Sequence, residues 1–211
     1  MPTTTFSIDL KNSGKKFFRN WIFKNFTFHF EPARKISLIG QNGSGKSTML
    51  QVLSGFESLS EGSIRYSKNG KEIARQDIFS HISIAAPYLE LVEEYTLNEI
   101  IRFHFQFKKP DRNLSPSDIL AVMQLEGSKD KVFKYFSSGM KQRTKLALAI
   151  LSDVDVVLLD EPLSNLDKSG ERWYGDLAKN YLENKMVVVC SNQNEAEYFF
   201  CEESITISDY K

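Results

Sequence analysis

The chain has few cysteines: Cys190 and Cys201 are the only two in 211 residues. They are too few and too scattered for a disulfide framework or a zinc site, which fits a reducing cytosol. Cys190 closes an apolar run and reads as a core residue. An excess of one charge is also missing, because 27 basic residues balance 27 acidic ones. No global field is left to recruit nucleic acid or an anionic membrane, so no direct nucleic-acid partner is expected. Apolar runs stay far below the length of a bilayer span, and the opening MPTTTFSIDL lacks the basic and apolar regions that direct secretion. Work at a membrane would need another protein as anchor. Repeats, low-complexity linkers and disordered tails are absent as well. With 41% hydrophobic residues the chain can bury a full core. It is predicted to form one domain over residues 1–211, without room for a second catalytic module.

What is present centres on Gly40-Gln41-Asn42-Gly43-Ser44-Gly45-Lys46-Ser47-Thr48. The run follows the apolar segment Lys35-Ile36-Ser37-Leu38-Ile39 and precedes Met49-Leu50-Gln51-Val52-Leu53, so it sits where a buried strand turns into a helix. Glycines there let successive amides turn toward a phosphate, and the helix N-terminus adds partial positive charge. Lys46 is placed to reach β- and γ-phosphates and the Ser47 hydroxyl to hold Mg²⁺. A nucleoside triphosphate ligand follows.

Residues 4–39 alternate apolar and polar positions, notably Trp21-Ile22-Phe23 and Phe26-Thr27-Phe28-His29-Phe30, and predict strands of an antiparallel sheet ending in the phosphate-loop strand. Ser63-Ile64-Arg65-Tyr66 and His81-Ile82-Ser83-Ile84 add strands, with a hairpin turn at Lys68-Asn69-Gly70-Lys71. From Thr96 to about Lys129 the pattern is helical, broken by Pro110 and Pro116. Helix, strand, helix and strand follow at Gly139 to Leu151, Val154 to Leu159, Ser169 to Leu182 and Met186 to Cys190. The alternation predicts an α/β fold with a mostly parallel sheet and crossover helices.

A second strong signal is Val156-Val157-Leu158-Leu159-Asp160-Glu161-Pro162. Four apolar residues read as a strand buried on both faces, with two carboxylates at its C-terminal end, where open α/β sheets place ligands. Asp160 is expected to support Mg²⁺ through water, and Glu161 to orient or deprotonate an attacking water.

Between the two lies Phe136-Ser137-Ser138-Gly139-Met140-Lys141-Gln142-Arg143, before the apolar helix Leu146-Ala147-Leu148-Ala149-Ile150-Leu151. With these residues in place the chain resembles the nucleotide-binding subunits of ATP-binding cassette (ABC) transporters. Ser137, Ser138, Gly139 and Met140 stand at the S, first G, second G and Q of that family's LSGGQ signature, and Ser164-Asn165-Leu166-Asp167 matches its D-loop. The resemblance covers essentially the whole chain. It implies a P-loop NTPase core with an antiparallel β-subdomain and a small helical subdomain over roughly residues 88–150. It also implies ATP and Mg²⁺ as ligands, with Gln41, Asn42, Gly43, Ser44, Gly45, Lys46, Ser47 and Thr48 around the phosphates and Ser47 and Asp160 at the metal. Two subunits, identical or similar, would close head to tail, so that Ser137 and the amides near Gly139 cap the partner's γ-phosphate. An upstream aromatic stacks on adenine in the family, and alignment puts Phe17 there. A separate transmembrane permease is implied, placing the chain on the inner face of the cell membrane. Contact with it falls to Tyr88 to Phe107. The signature variant resembles those of exporter subunits, including the short haem-exporter type, more than those of nutrient importers.

Two departures stand beside the matches. The family's Q-loop glutamine should fall in Ile84-Ala85-Ala86-Pro87-Tyr88, which has none. Asn192 holds the place of its switch histidine, next to Glu161 in the catalytic set, and an amide cannot carry an imidazolium charge. Losing one electrostatic partner costs about 10²- to 10³-fold in rate, whereas a general base alone contributes about 10²- to 10⁴-fold. Slow hydrolysis is the expectation. The alternatives are a soluble ABC-type ATPase acting in Fe–S assembly or a similar process, and an ATP-dependent clamp that hydrolyses poorly.

Overall fold

A computed structural model describes residues 5–211. Residues 1–4, which fall within the predicted domain and whose last residue opens the predicted strand region, lie outside the described residues. Two long strands open the fold, β1 (Phe6–Phe17) and β2 (Asn20–Phe30), paired antiparallel with Ile8 opposite Phe30 and Leu10 opposite Phe28. Every second residue at the start of β1 (Phe6, Ile8, Leu10) is buried, the period of a half-covered strand. β4 (Glu61–Lys68) pairs with the other edge of β1 and turns at Asn69 and Gly70 into the short β5 (Lys71–Glu72), giving the sheet order β2-β1-β4-β5. Asn69 and Gly70 both have positive φ, the requirement of a two-residue primed turn.

The second sheet is parallel, in the order β6-β7-β8-β3-β9. It contains β3 (Lys35–Ile39), β6 (Ile82–Ala85), β7 (Val156–Asp160), β8 (Met186–Ser191) and β9 (Glu203–Thr206). This corrects one expectation: the phosphate-loop strand does not close the antiparallel sheet. It lies inside the parallel one, between β8 and β9. Both faces of that sheet are covered. Val157, Leu159, Val187 and Val189 pack into the core shared with α2 (Leu97–Phe107), α3 (Pro116–Met123), α4 (Ser138–Ile150) and α5 (Lys168–Tyr181). Their neighbours Val156, Leu158, Val188 and Cys190 point the other way, into the core under β1, β2, β4 and α1 (Lys46–Leu53). Continuous apolar strands are what such two-sided burial demands.

Pro116 is a second correction, because it starts α3 rather than breaking a helix. Ser115 caps that helix reciprocally with Asp118, and proline at the first helical position forfeits only an N–H that has no intrahelical partner. Among the described residues no helix is long and apolar enough to cross a membrane. Both cysteines are free, with Cys190 fully buried.

Candidate nucleotide site

The phosphate loop, the two carboxylates and Asn192 gather at the C-terminal ends of neighbouring parallel strands, whereas Phe17 lies at the end of antiparallel β1 and Ser137 and Gly139 at the start of α4. The phosphate loop leaves β3, Asp160 and Glu161 end β7, Asn192 follows β8 between them, and Tyr88 follows β6. Gly43 and Gly45 have φ of 76° and 110°, backbone that L side chains rarely adopt. A Cβ on Gly45 would also lie 2.5 Å from Ile22 Cγ2, so the β1–β2 hairpin presses directly on the loop. Gly45 precedes α1 with no side-chain cap, and the first turn carries no acid, which leaves the helix start open to an anion. Gln41, Asn42 and Gly43 are exposed on the crest, while Ser44 is buried below them.

Lys46 is 5% exposed, and its Nζ donates to the carbonyls of Gly40 at 2.8 Å and Gln41 at 3.2 Å. No carboxylate neutralises it at ion-pair distance among the described residues. A buried cation held only by carbonyls is ready for an anionic ligand. Asp160 is buried beside Ser47, and burial pushes its carboxyl above the usual range. The Ser47 hydroxyl and Lys46 pull it back, and Glu161 adds to the rise. Among the described residues Oδ2 of Asp160 has no hydrogen-bond partner, nor has the buried Ser44 hydroxyl. An orphaned carboxylate oxygen beside a serine hydroxyl is a hard oxygen donor set that suits Mg²⁺.

Glu161 has φ of 45°, a strained setting for any residue that carries a Cβ and of the kind that collects at functional sites. Three partners hold it and the turn it begins. Its N–H donates to Cys190 O at 2.9 Å, Ser164 N–H donates to Glu161 O at 3.0 Å, and Gln142 Nε2 of α4 donates to Pro162 O at 2.9 Å. Ser137 caps α4, its Oγ accepting from Met140 N–H at 3.3 Å. Ser137, Gly139, Met140, Arg143, Asn165 and Ser169 line one surface hollow, and a Cβ on Gly139 would meet Asn165 O at 3.1 Å. Signature and D-loop are therefore adjacent within one chain. Phe17 is the last residue of β1, 41% exposed, with Lys15 Nζ 4.7 Å from its ring centre. It lies in the hairpin that presses on Gly45.

Tyr88, in the segment without a glutamine, keeps its phenol pushed up to about 12, by burial first and then by Asp160, with Gln51 as an opposing hydrogen-bond partner. Two neighbours of Asn192 carry no sequence signal strong enough to single them out. Gln193, at φ 64°, lines a cavity with Gly40 to Ser44, Thr206, Ser208 and Lys211. Glu197 is buried behind the loop. Gln142 did carry a signal: a polar residue in register with Leu146 and Ala149 on the buried face of an apolar helix.

Strand order, phosphate loop and terminal carboxylates together define a phosphate-loop nucleotide-binding domain. Residues 23–164 match the ABC transporter family, and the chain belongs to that family as an ATP-binding subunit. Such subunits bind and hydrolyse ATP, generally with Mg²⁺, dimerise, and work with a transmembrane permease. The phosphonates import ATP-binding protein PhnC of Fusobacterium nucleatum is 27% identical over 222 residues, covering 96% of this chain and 89% of its own length. The cytochrome c biogenesis ATP-binding export protein CcmA of Vibrio vulnificus is 27% identical over 175 residues, 82% of this chain and 85% of its own. A solved ABC transporter ATP-binding protein from Pyrococcus furiosus shares the fold, with a TM-score of 0.80 at 17% identity over 97% of this chain and 99% of that one.

Proposed function

We propose that this chain is the ATP-hydrolysing subunit of an exporter, working as a head-to-tail dimer that drives a separate membrane permease. The observation that carries the reading is the buried Lys46, in no direct ion pair among the described residues, at one strand end with the orphaned Asp160 oxygen and strained Glu161 at another. Lys46 and the loop amides bind the β- and γ-phosphates, and Phe17 stacks on the adenine. Ser47 and Asp160 would hold Mg²⁺, which when bound would neutralise charge on the phosphate oxygens. Glu161 orients a water and takes its proton as the water oxygen bonds to the γ-phosphorus and the bond to ADP breaks. Asn192 offers the γ-phosphate a neutral amide donor, and Ser137 with the Gly139 amide caps the partner's γ-phosphate. Turnover is slow because neither a Q-loop glutamine nor a switch histidine is present.

Export rests on the signature variant and on the CcmA relative, against the import name of PhnC at the same identity. The permease docks on the apolar groove of about 200 Å³ lined by Leu91, Val92, Tyr95, Phe103 and Phe107, whose aromatic rings are partly or largely exposed. That contact keeps the chain at the inner face of the cell membrane. A test pairs phosphate release with cell fractionation. Purified wild type should release phosphate from Mg-ATP, and Glu161→Gln should not; equal rates would replace the enzyme with a clamp, the reading that the departures at Tyr88 and Asn192 favour. Phe103→Ser with Phe107→Ser should leave ATP binding intact and release the chain from the membrane fraction. Retention there would remove the docking assignment.

A further inference from the structure

Glu197 has no part in the chemistry above, yet it is a carboxylate only 5% exposed, placed between two nucleotide loops. It belongs to α6 (Glu195–Tyr198), the single turn after β8. Its Oε2 accepts from Ser191 Oγ at 2.5 Å, and Ser191 Oγ in turn accepts from Asn194 N–H at 3.2 Å. These two residues bracket Asn192 and Gln193. Its Oε1 accepts from Leu163 N–H at 3.2 Å, two residues after Glu161. The backbone carbonyl of Glu197 is fixed by the buried Tyr174 hydroxyl at 2.8 Å, which anchors the turn to α5. Burial pushes the carboxyl above the ordinary range, with Ser191 and Leu163 opposing the shift and Glu161 and Asp160 adding to it. A carboxylate near two others is a costly way to fill a core position. Its position joining two loops explains why it is there.

We propose that Glu197 is a positioning residue: one carboxylate fixes the spacing between the turn that presents Glu161 and the loop that presents Asn192 and Gln193. Both loops face the same γ-phosphate in the ATPase reading, on which this inference rests. With neither a switch histidine nor a Q-loop glutamine to span the site, the carboxylate bridge behind the loops keeps the base and the amide donor in register. Glutamine can replace it without a missing partner. Its carbonyl oxygen accepts from Leu163 N–H, its amide donates to Ser191 Oγ, and the Ser191 hydrogen turns to Asn194 O, 3.4 Å away. Alanine leaves both loops unlinked.

The test compares wild type, Glu197→Gln and Glu197→Ala for Mg-ATP affinity by calorimetry and for kcat and KM of phosphate release. Misplacing a reacting group by about 1 Å costs roughly 10²-fold in rate. Glu197→Ala should therefore lower kcat by about ten- to hundredfold, with affinity changed less than threefold, since neither loop contacts Lys46 through this residue. Glu197→Gln should recover most of the rate. The Leu163 amide should lose its hydrogen-exchange protection in the alanine variant and regain it in the glutamine one. An unchanged kcat in folded Glu197→Ala overturns the assignment. So do rate and affinity that fall together and fail to recover with glutamine, since that is a purely structural role. A wild type without phosphate release would overturn the ATPase reading itself, before any variant is measured.

Discussion

Lys46→Met separates the energetic role of this lysine in the empty protein from its role with nucleotide. Methionine keeps much of the stem length and packing while removing the ammonium. In the empty protein two carbonyl hydrogen bonds disappear, but so does the cost of burying a cation that has no carboxylate at ion-pair distance among the described residues and that Asp160 offsets only from further away. Gln41 lies at the surface, where water can replace the lost donor. The net change in folding stability is expected to stay within about 1 kcal/mol. At this chain length that is about 2–4 °C in melting midpoint. With nucleotide the balance differs, because a hydrogen bond to a charged group contributes about 1.5–3 kcal/mol, which at about 1.4 kcal/mol per decade is roughly a 10- to 150-fold loss of Mg-ATP affinity. At a fixed nucleotide concentration saturating for wild type, the same energy is lost from ligand-linked stabilisation. Isothermal calorimetry reads the first quantity, and paired melts with and without Mg-ATP read the second. A folded variant that binds Mg-ATP as tightly as wild type would refute the placement of Lys46 against phosphate. A variant that melts far below wild type without nucleotide would show instead that the lysine is a structural strut.

Three further outcomes follow from geometry. Gly45→Ala forces a side chain into φ of 110° and against Ile22, and should cost about 1–3 kcal/mol in denaturant melts; an unchanged midpoint would mean the hairpin yields. Asn192→His should raise phosphate release, by up to about 10²-fold if an imidazolium restores the missing electrostatic partner. If only Gln193→His does so, the γ-phosphate contact belongs to Gln193. His104, held against the Ser152 hydroxyl at 2.9 Å, has its pKa lowered from 6.5 to about 4 by burial and then by Lys108. Because the folded value lies below the unfolded one, the unfolded chain takes up this proton first as pH falls. Stability should drop between about pH 6.5 and 4, by on the order of 2–3 kcal/mol, and His104→Gln should flatten that stretch of the pH profile.

The sequence is most legible where local pattern and chemistry coincide. A strand buried on both faces must be apolar along its length, so the runs at residues 156–159 and 186–190 announce themselves, and a glycine-rich turn between a buried strand and a helix, followed by Lys-Ser, points to phosphate. Sheet membership was less legible, because Lys35–Ile39 has the same short apolar character in either sheet. Its place between β8 and β9 depends on pairings far apart in the chain. β9 itself, with the sequence Glu-Ser-Ile-Thr and one buried residue, carries too little hydrophobic pattern to be seen. Pro116 shows how a breaker becomes a starter once Ser115 caps the turn. At the site, Lys46, Asp160 and Glu161 were named by residue type and position. The supports behind them were not: Glu197 acts through contacts that only folding creates, and Gln142 shows in the sequence as a polar residue on a buried helix face but its partner Pro162 does not.

Gln142 has one consequence of its own. Its bond to Pro162 O ties the N-terminal half of α4 to the turn that bears Glu161. In the proposed head-to-tail pair that turn would serve the subunit's own nucleotide and the start of α4 the neighbour's. Each protomer would then act as a lever with a nucleotide at either end and this amide at the fulcrum. Two such levers meeting at both tips would form a closed mechanical ring. A γ-phosphate lost from one cleft would slacken the other through this side chain. The two clefts of the pair are then expected to fire in relation to each other, and a dimer with Gln142→Ala in only one protomer should lose that timing while still binding both nucleotides.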